Sequence, residues 1–125
     1  MKVKNVTVEN IKTMRKTMED KDILECCQAV LAFLCDDHDY AHFDLSETMS
    51  EMDRVLEKND FESSVYGTNM MNFMRWLSHE YDFKGPDEYD DGRAYFSDGH
   101  TYPESPAKLI LKTVIRDIKL REIQI

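Results

Sequence analysis

The chain has 125 residues, of which 33% are charged, 42% hydrophobic and 10% aromatic, and its net charge is -9. That is the length of one domain, 1–125, with enough apolar and aromatic side chains to bury a core, which excludes a disordered polyelectrolyte. Residues 1–21 carry six basic and three acidic groups (+3), residues 105–125 five and two (+3), and residues 22–104 five and twenty (-15); a body this negative repels phosphate and argues against direct nucleic-acid or anionic-membrane binding.

The opening MKVKNVTVEN has no apolar run of signal-peptide length, and the longest apolar stretch elsewhere, AVLAFLC at 29–35, is too short to span a bilayer. A cytoplasmic protein is therefore expected. The three cysteines, Cys26, Cys27 and Cys35, all fall within one apolar helical pattern, so buried reduced thiols are expected rather than a disulfide framework.

In chain order, TVENIKTMRKTM places Val8, Ile11, Met14 or Arg15, and Met18 at helical spacing behind Thr7 as cap, although MKVKNVTV also fits a short strand. DILECCQAVLAFLC then repeats apolar residues at Ile23, Leu24, Cys27, Val30, Leu31, Leu34 and Cys35, a wide buried stripe behind Asp22. Asp44 stands three residues before Glu47, a variant capping box, and Leu45, Met49, Met52, Val55 and Leu56 predict a helix over about 45–58. In TNMMNFMRWLSHEY, Met70, Phe73, Met74, Leu77 and Tyr81 share one helical face with Trp76 at its margin. From Lys84 to Pro106 the composition shifts to glycine, proline, aspartate and tyrosine; Asp98-Gly99 between RAYF and HTY is the pair that closes a two-residue hairpin. A last helix opens with Ser105 as cap and Pro106 at its first position, with Leu111, Val114, Ile115 and Ile118 turned inward. The expected fold is mainly α, about five helices in one compact helical domain, with a small β-hairpin insertion near residues 88–103.

Specific chemistry concentrates in CDDHDYAHFD at 35–44. His38 and His42 are one helical turn apart, Cys35 is three residues before His38, and with Asp39 or Asp44 they can supply four ligands to a tetrahedral zinc ion. Zinc sites usually draw on two separated segments, however, and His79 and His100 stand alone, so an acidic connection between helices ranks ahead of a metal site and no cofactor is expected, zinc being the alternative. The His38-Asp39 pair lacks the upstream histidine that metal-dependent HD phosphohydrolases require, and HEYD at 79–82 lacks the second histidine of an HExxH helix. No GxSxG elbow, phosphate loop or GxGxxG is present, and the charge around the cysteines is the reverse of what lowers a thiol pKa, so catalysis ranks below binding.

Recognition of another macromolecule fits better. Residues 36–62 hold ten acidic groups against two basic ones, and EYDFKGPDEYDD interleaves tyrosines with carboxylates; such a surface docks on a basic groove and mimics nucleic-acid charge. The residues offered to a partner are Asp36, Asp37, Asp39, Asp44, Glu47 and Glu51, joined by Trp76, Tyr89, Asp90, Asp91 and Tyr95. The expectation is a small acidic inhibitor or adaptor that binds a basic protein, of the kind common among phage and mobile-element accessory proteins. Two alternatives remain: a zinc-binding protein or metal-dependent enzyme built on Cys35, His38 and His42, and a structural subunit that forms a homo-oligomer through the methionine-rich faces of Met49, Met52, Met70, Met71 and Met74. The zinc alternative expects one zinc per chain in a native mass spectrum, lost in a His38→Ala, His42→Ala double variant; a bare mass for the unaltered chain makes CDDHDYAHFD an acidic connection.

Overall fold

The structure, a computed structural model, describes residues 17–35 and 47–123. Residues 7–16 of the predicted first helix and the stretch 36–46 lie outside the described residues, and Met18, the last apolar position of that prediction, is described but not helical. Among the described residues there are five α-helices in order: α1 (Asp20–Cys35), α2 (Glu47–Lys58), α3 (Asn69–Tyr81), the short α4 (Gly92–Phe96) and α5 (Pro106–Ile123), with a 3-10 turn at Pro86–Glu88. α1 packs against both α5 and α2, and α3 lies on α2 and α5.

α1 begins two residues before the expected Asp22 cap, because the Glu19 carbonyl already accepts from the N–H groups of Asp22 and Ile23 at 3.0 Å. Asp20 and Asp22 then sit in the first turn, where the helix dipole favours carboxylates. Ile23, Cys26, Cys27, Ala29 and Val30 are its buried residues. The expected stripe is thus shifted: Leu24, Leu31 and Leu34 are only half-buried, and Cys35, expected inside, is exposed. On α2 the buried residues are Met52, Val55 and Leu56, as the periodicity predicts.

α2 and α3 end by the same device. Asp60 has a φ of 69°, its N–H donates to the Glu57 carbonyl at 3.0 Å, and the Phe61 N–H reaches back to Leu56 at 2.9 Å. Asp82 adopts φ 60° and ψ 45°, and the Asp82 and Phe83 N–H groups both close on the Ser78 carbonyl. In each case a left-handed aspartate reverses the chain and the N–H of the phenylalanine after it reaches back to the helix just left, satisfying a carbonyl that would otherwise be orphaned. Phe61 is buried and meets Phe73 edge-on at 5.2 Å and Trp76 at 5.8 Å. α3 starts with Thr68 as cap, its hydroxyl accepting from the Met71 N–H at 3.2 Å.

The predicted β-hairpin near 88–103 does not form; among the described residues there is no strand, only an isolated bridge between Ser64 and Gly67. Residues 92–96 are helical instead. Asp91 caps them by accepting from the Arg93 N–H at 2.9 Å, and Tyr95, which the hairpin reading placed on a strand, is fully buried. Asp98 is not the first residue of a hairpin turn. Its Oδ1 accepts from the Ser105 N–H at 2.8 Å and its Oδ2 from Lys108 Nζ at 2.8 Å, so it anchors the start of α5. Ser105 caps α5 as expected, accepting from the Lys108 N–H at 3.3 Å ahead of Pro106.

The core gathers Cys26, Cys27 and Val30 from α1, Val55 and Leu56 from α2, Phe73, Met74 and Leu77 from α3, Tyr95 from α4 and Leu111, Val114 and Ile118 from α5. Met52 and Met74 are buried and Met49, Met70 and Met71 half-buried, so the methionine-rich faces belong to the core and its margin. Among the described residues no buried side-chain nitrogen or oxygen lacks a partner.

An L-residue in the left-handed region carries a cost that glycine does not. Replacing Asp82 by Gly should therefore raise the free energy of unfolding by about 0.5–1 kcal/mol in urea titration while leaving the helical circular dichroism unchanged.

Candidate interaction surface

The connection from α3 to α4 forms an acidic lobe. Between Glu80 and Asp91 stand Glu80, Asp82, Asp87, Glu88, Asp90 and Asp91, all exposed, against the single basic residue Lys84. Its backbone is held by its own side chains. The Gly85 N–H donates to Glu88 Oε2 at 2.8 Å across the 3-10 turn, and Pro86 is buried beneath it. Arg75 on α3 forks onto Asp87, Nε to Oδ2 at 2.7 Å and Nη2 to Oδ1 at 3.0 Å, and also donates to Asn72 at 2.9 Å. A planar guanidinium gripping both carboxylate oxygens fixes orientation as well as distance.

Tyr89 sits half-buried in this lobe. Its ring meets Tyr95 at 5.0 Å and Tyr102 at 5.8 Å, both edge-on, and Lys84 Nζ lies 4.7 Å from its centroid. Partial burial, with Tyr102 and Glu88 beside it, holds its phenol above the ordinary tyrosine range. Burial likewise pushes the Tyr95 phenol up to about 12, against a weaker opposing effect from the Ser78 hydroxyl 3.4 Å away. Both remain neutral hydrogen-bonding groups at physiological pH.

The residues expected to meet a partner divide. Tyr89, Asp90 and Asp91 come together in the lobe, with Asp91 already used as the α4 cap. Tyr95 lies beneath them with no exposed surface, so it supports the lobe and offers a partner no contact. Trp76 is half-buried against Phe61 and Phe73 and belongs to the core margin. Glu47 and Glu51 stand exposed on α2, apart in the chain from the lobe, and Glu51 is occupied by Arg54 at 2.7 Å, whose hydrogen bond holds its carboxyl below the usual range. Asp36, Asp37, Asp39 and Asp44 lie outside the described residues. Glu80, Asp82, Asp87 and Glu88 complete the lobe and were not singled out by sequence, although the carboxylate density of EYDFKGPDEYDD carried the signal.

Of the metal candidates, Cys35 is exposed at the end of α1, while His38, Asp39 and His42 lie outside the described residues. Among the described residues no three histidines, cysteines or carboxylates are placed to hold a metal ion, and no helix is long and apolar enough to cross a membrane. A shallow pocket of about 170 Å³ beside α4, lined by Arg93, Ser97, His100 and Thr101 among others, is smaller than the usual small-molecule site. Comparison of the chain with family models, curated proteins and solved structures finds no match.

Asp98 links this region to α5. The Lys108 ammonium and the Ser105 N–H hold its carboxyl below the ordinary value of 3.8. A depressed folded-state pKa contributes stability above the unfolded value that is lost as pH falls through the folded one. Asp98→Asn should therefore lower the midpoint of urea unfolding at neutral pH and reduce the loss of stability on acidification below about pH 4, read from urea titrations across pH.

Proposed function

We propose that the protein acts by binding a basic macromolecule, as an inhibitor or adaptor, and that the Glu80–Asp91 lobe is the surface that meets it. The observation that supports this reading is the density of the lobe: six carboxylates in twelve residues, on a backbone braced by the Arg75–Asp87 fork and the Glu88–Gly85 bond. Charges held in place before contact cost less ordering on binding than charges on a free loop, and they steer a positively charged partner into position. Tyr89 adds a half-buried aromatic anchor among them.

A basic groove that ordinarily holds a phosphate backbone is the natural complement of such a lobe. A cytoplasmic accessory protein, such as those of phages and mobile elements, that occupies the nucleic-acid-binding surface of a host protein fits this chemistry. Occupancy of the groove is enough to inhibit, and catalysis is not required of the acidic chain.

The test is binding to a basic partner isolated on the immobilised protein. Retention at about 0.05 M salt should be lost at about 0.5 M, and double-stranded DNA should compete. The variant Glu80→Gln, Asp82→Asn, Asp90→Asn changes only exposed carboxylates and keeps a residue suited to the left-handed position at 82; it should weaken binding about tenfold or more, chiefly through a slower association rate. Binding indifferent both to salt and to these substitutions would refute the reading.

A further inference from the structure

Among the described residues five large apolar side chains stand in solvent, and they fall into two groups. Val65 and Tyr66 are 94% and 76% exposed at the tip of the loop between α2 and α3; Leu109, Leu120 and Ile123, at 50%, 49% and 79%, lie on α5.

The tip is built, not slack. Ser64 and Gly67 exchange both backbone hydrogen bonds, at 2.8 and 3.1 Å, and the Ser64 hydroxyl accepts from the Tyr66 N–H at 3.1 Å. Asn72 on α3 donates to the Glu62 carbonyl at 2.8 Å. Gly67 has a φ of 153°, and a Cβ there would lie 3.1 Å from an Arg75 nitrogen and 3.3 Å from Met71, so the loop is seated closely against α3 and any other residue at this φ would be strained. The result is a rigid two-residue apolar point. The exposed Glu62 stands three residues before Val65, and the Arg75 guanidinium beside Gly67 is already committed to Asp87.

The α5 patch has the opposite charge. At 100° per residue, Leu109, Arg116, Leu120 and Ile123 share the face opposite the buried Leu111, Val114 and Ile118, and the ionic residues on that face are Lys112, Arg116 and Lys119. Asp117 points to the side, and Glu122 lies about 20° from the direction of Leu111. Lys112 is paired with Glu104, which leaves Arg116 and Lys119 beside the more exposed end at Leu120 and Ile123.

The two patches sit at opposite ends of α3. The tip adjoins its N-terminus, whereas its last residue, Tyr81, brings its hydroxyl to 3.4 Å from Arg121 Nη2. Thirteen residues separate these ends by about 20 Å, so the patches do not meet within one chain. Each is apolar, and their flanking charges are opposite in sign. We propose that the protein assembles head to tail, the Val65–Tyr66 tip of one copy seating against the Leu120–Ile123 end of α5 on the next, with Glu62 facing Arg116 and Lys119. Contact between unlike patches is heterologous and repeats along a chain of copies. The area is small, so the association is weak. This surface is distinct from the acidic lobe, and its test does not depend on the partner of that lobe.

Sedimentation velocity tests it at about 0.15 M salt, where the net charge of the body is screened beyond about 8 Å. The weight-average sedimentation coefficient of the unaltered chain should rise between about 10 µM and about 1 mM. Two variants, Val65→Ser with Tyr66→Ser and Leu120→Ser with Ile123→Ser, alter exposed positions only, and circular dichroism should show both folded. Each alone should stay monomeric over that range, while an equimolar mixture should form a 1:1 dimer and nothing larger, because each variant keeps one of the two patches. A monomeric unaltered chain, a variant that associates as the unaltered chain does, or a mixture that stays monomeric would each overturn the proposal.

Discussion

The fold depends on how closely two helices can approach one face of α1. That face is made of Cys26, Cys27, Ala29 and Val30, small side chains that let α5 and α2 settle against it. α5 supplies Leu111, Val114 and Ile118 and α2 supplies Val55 and Leu56, all buried. Ion pairs mark the same contacts at the surface, Lys58 with Glu25 at 2.9 Å and Arg121 with Asp20 at 3.3 Å, but both pairs are half exposed and an exposed pair contributes only about 0–1 kcal/mol. Packing, not these charges, holds the three helices. Every other element, from α3 to the acidic lobe, is built outward from that arrangement.

What was legible in the sequence follows from the range of the interaction that decides it. The stripes of α2 and α3 were readable because Met52, Val55, Leu56, Phe73, Met74 and Leu77 repeat at helical period and the core follows that period. The start of α5 was readable because Ser105 and Pro106 act on their own turn. The hairpin was misread because Asp98-Gly99 has the local chemistry of a turn, while the carboxylate of Asp98 is claimed by Ser105 and Lys108 farther along the chain. The burial assigned to Cys35 failed because α1 has one well-covered side, and periodicity gives a stripe without saying where its cover stops. The Asp60-Phe61 and Asp82-Phe83 pairs were in plain view, but a helix ending on a left-handed aspartate is a weaker signal than one ending on glycine.

The candidate site was legible as composition and not as geometry. EYDFKGPDEYDD announced an acidic surface with tyrosines, whereas pattern did not show how Tyr89 meets the tyrosines that follow the stretch: Tyr95 inside, Tyr89 half in, and Tyr102 edge-on to it. The same holds for the two apolar patches. Val65 and Tyr66 sit in SSVYG, a stretch with no periodicity, and Leu109, Leu120 and Ile123 lie on a helix whose apolar residues are spread around it, so its outward face does not stand out by pattern alone. Acidic body and basic C-terminal helix together give the molecule a polarity that a net charge of -9 conceals.

The cysteines supply a built-in record of how the core opens. Cys26 and Cys27 have no exposed surface, and burial pushes the Cys27 thiol far above its ordinary range, while Cys35 faces solvent. Neighbours in a helix point about 100° apart, so the vicinal pair is poorly placed to close on itself as a disulfide. A thiol reagent therefore meets one site at once and the other two only when α1 leaves its neighbours, and the ratio of those rates measures the stability of the helix contact on which everything else is built.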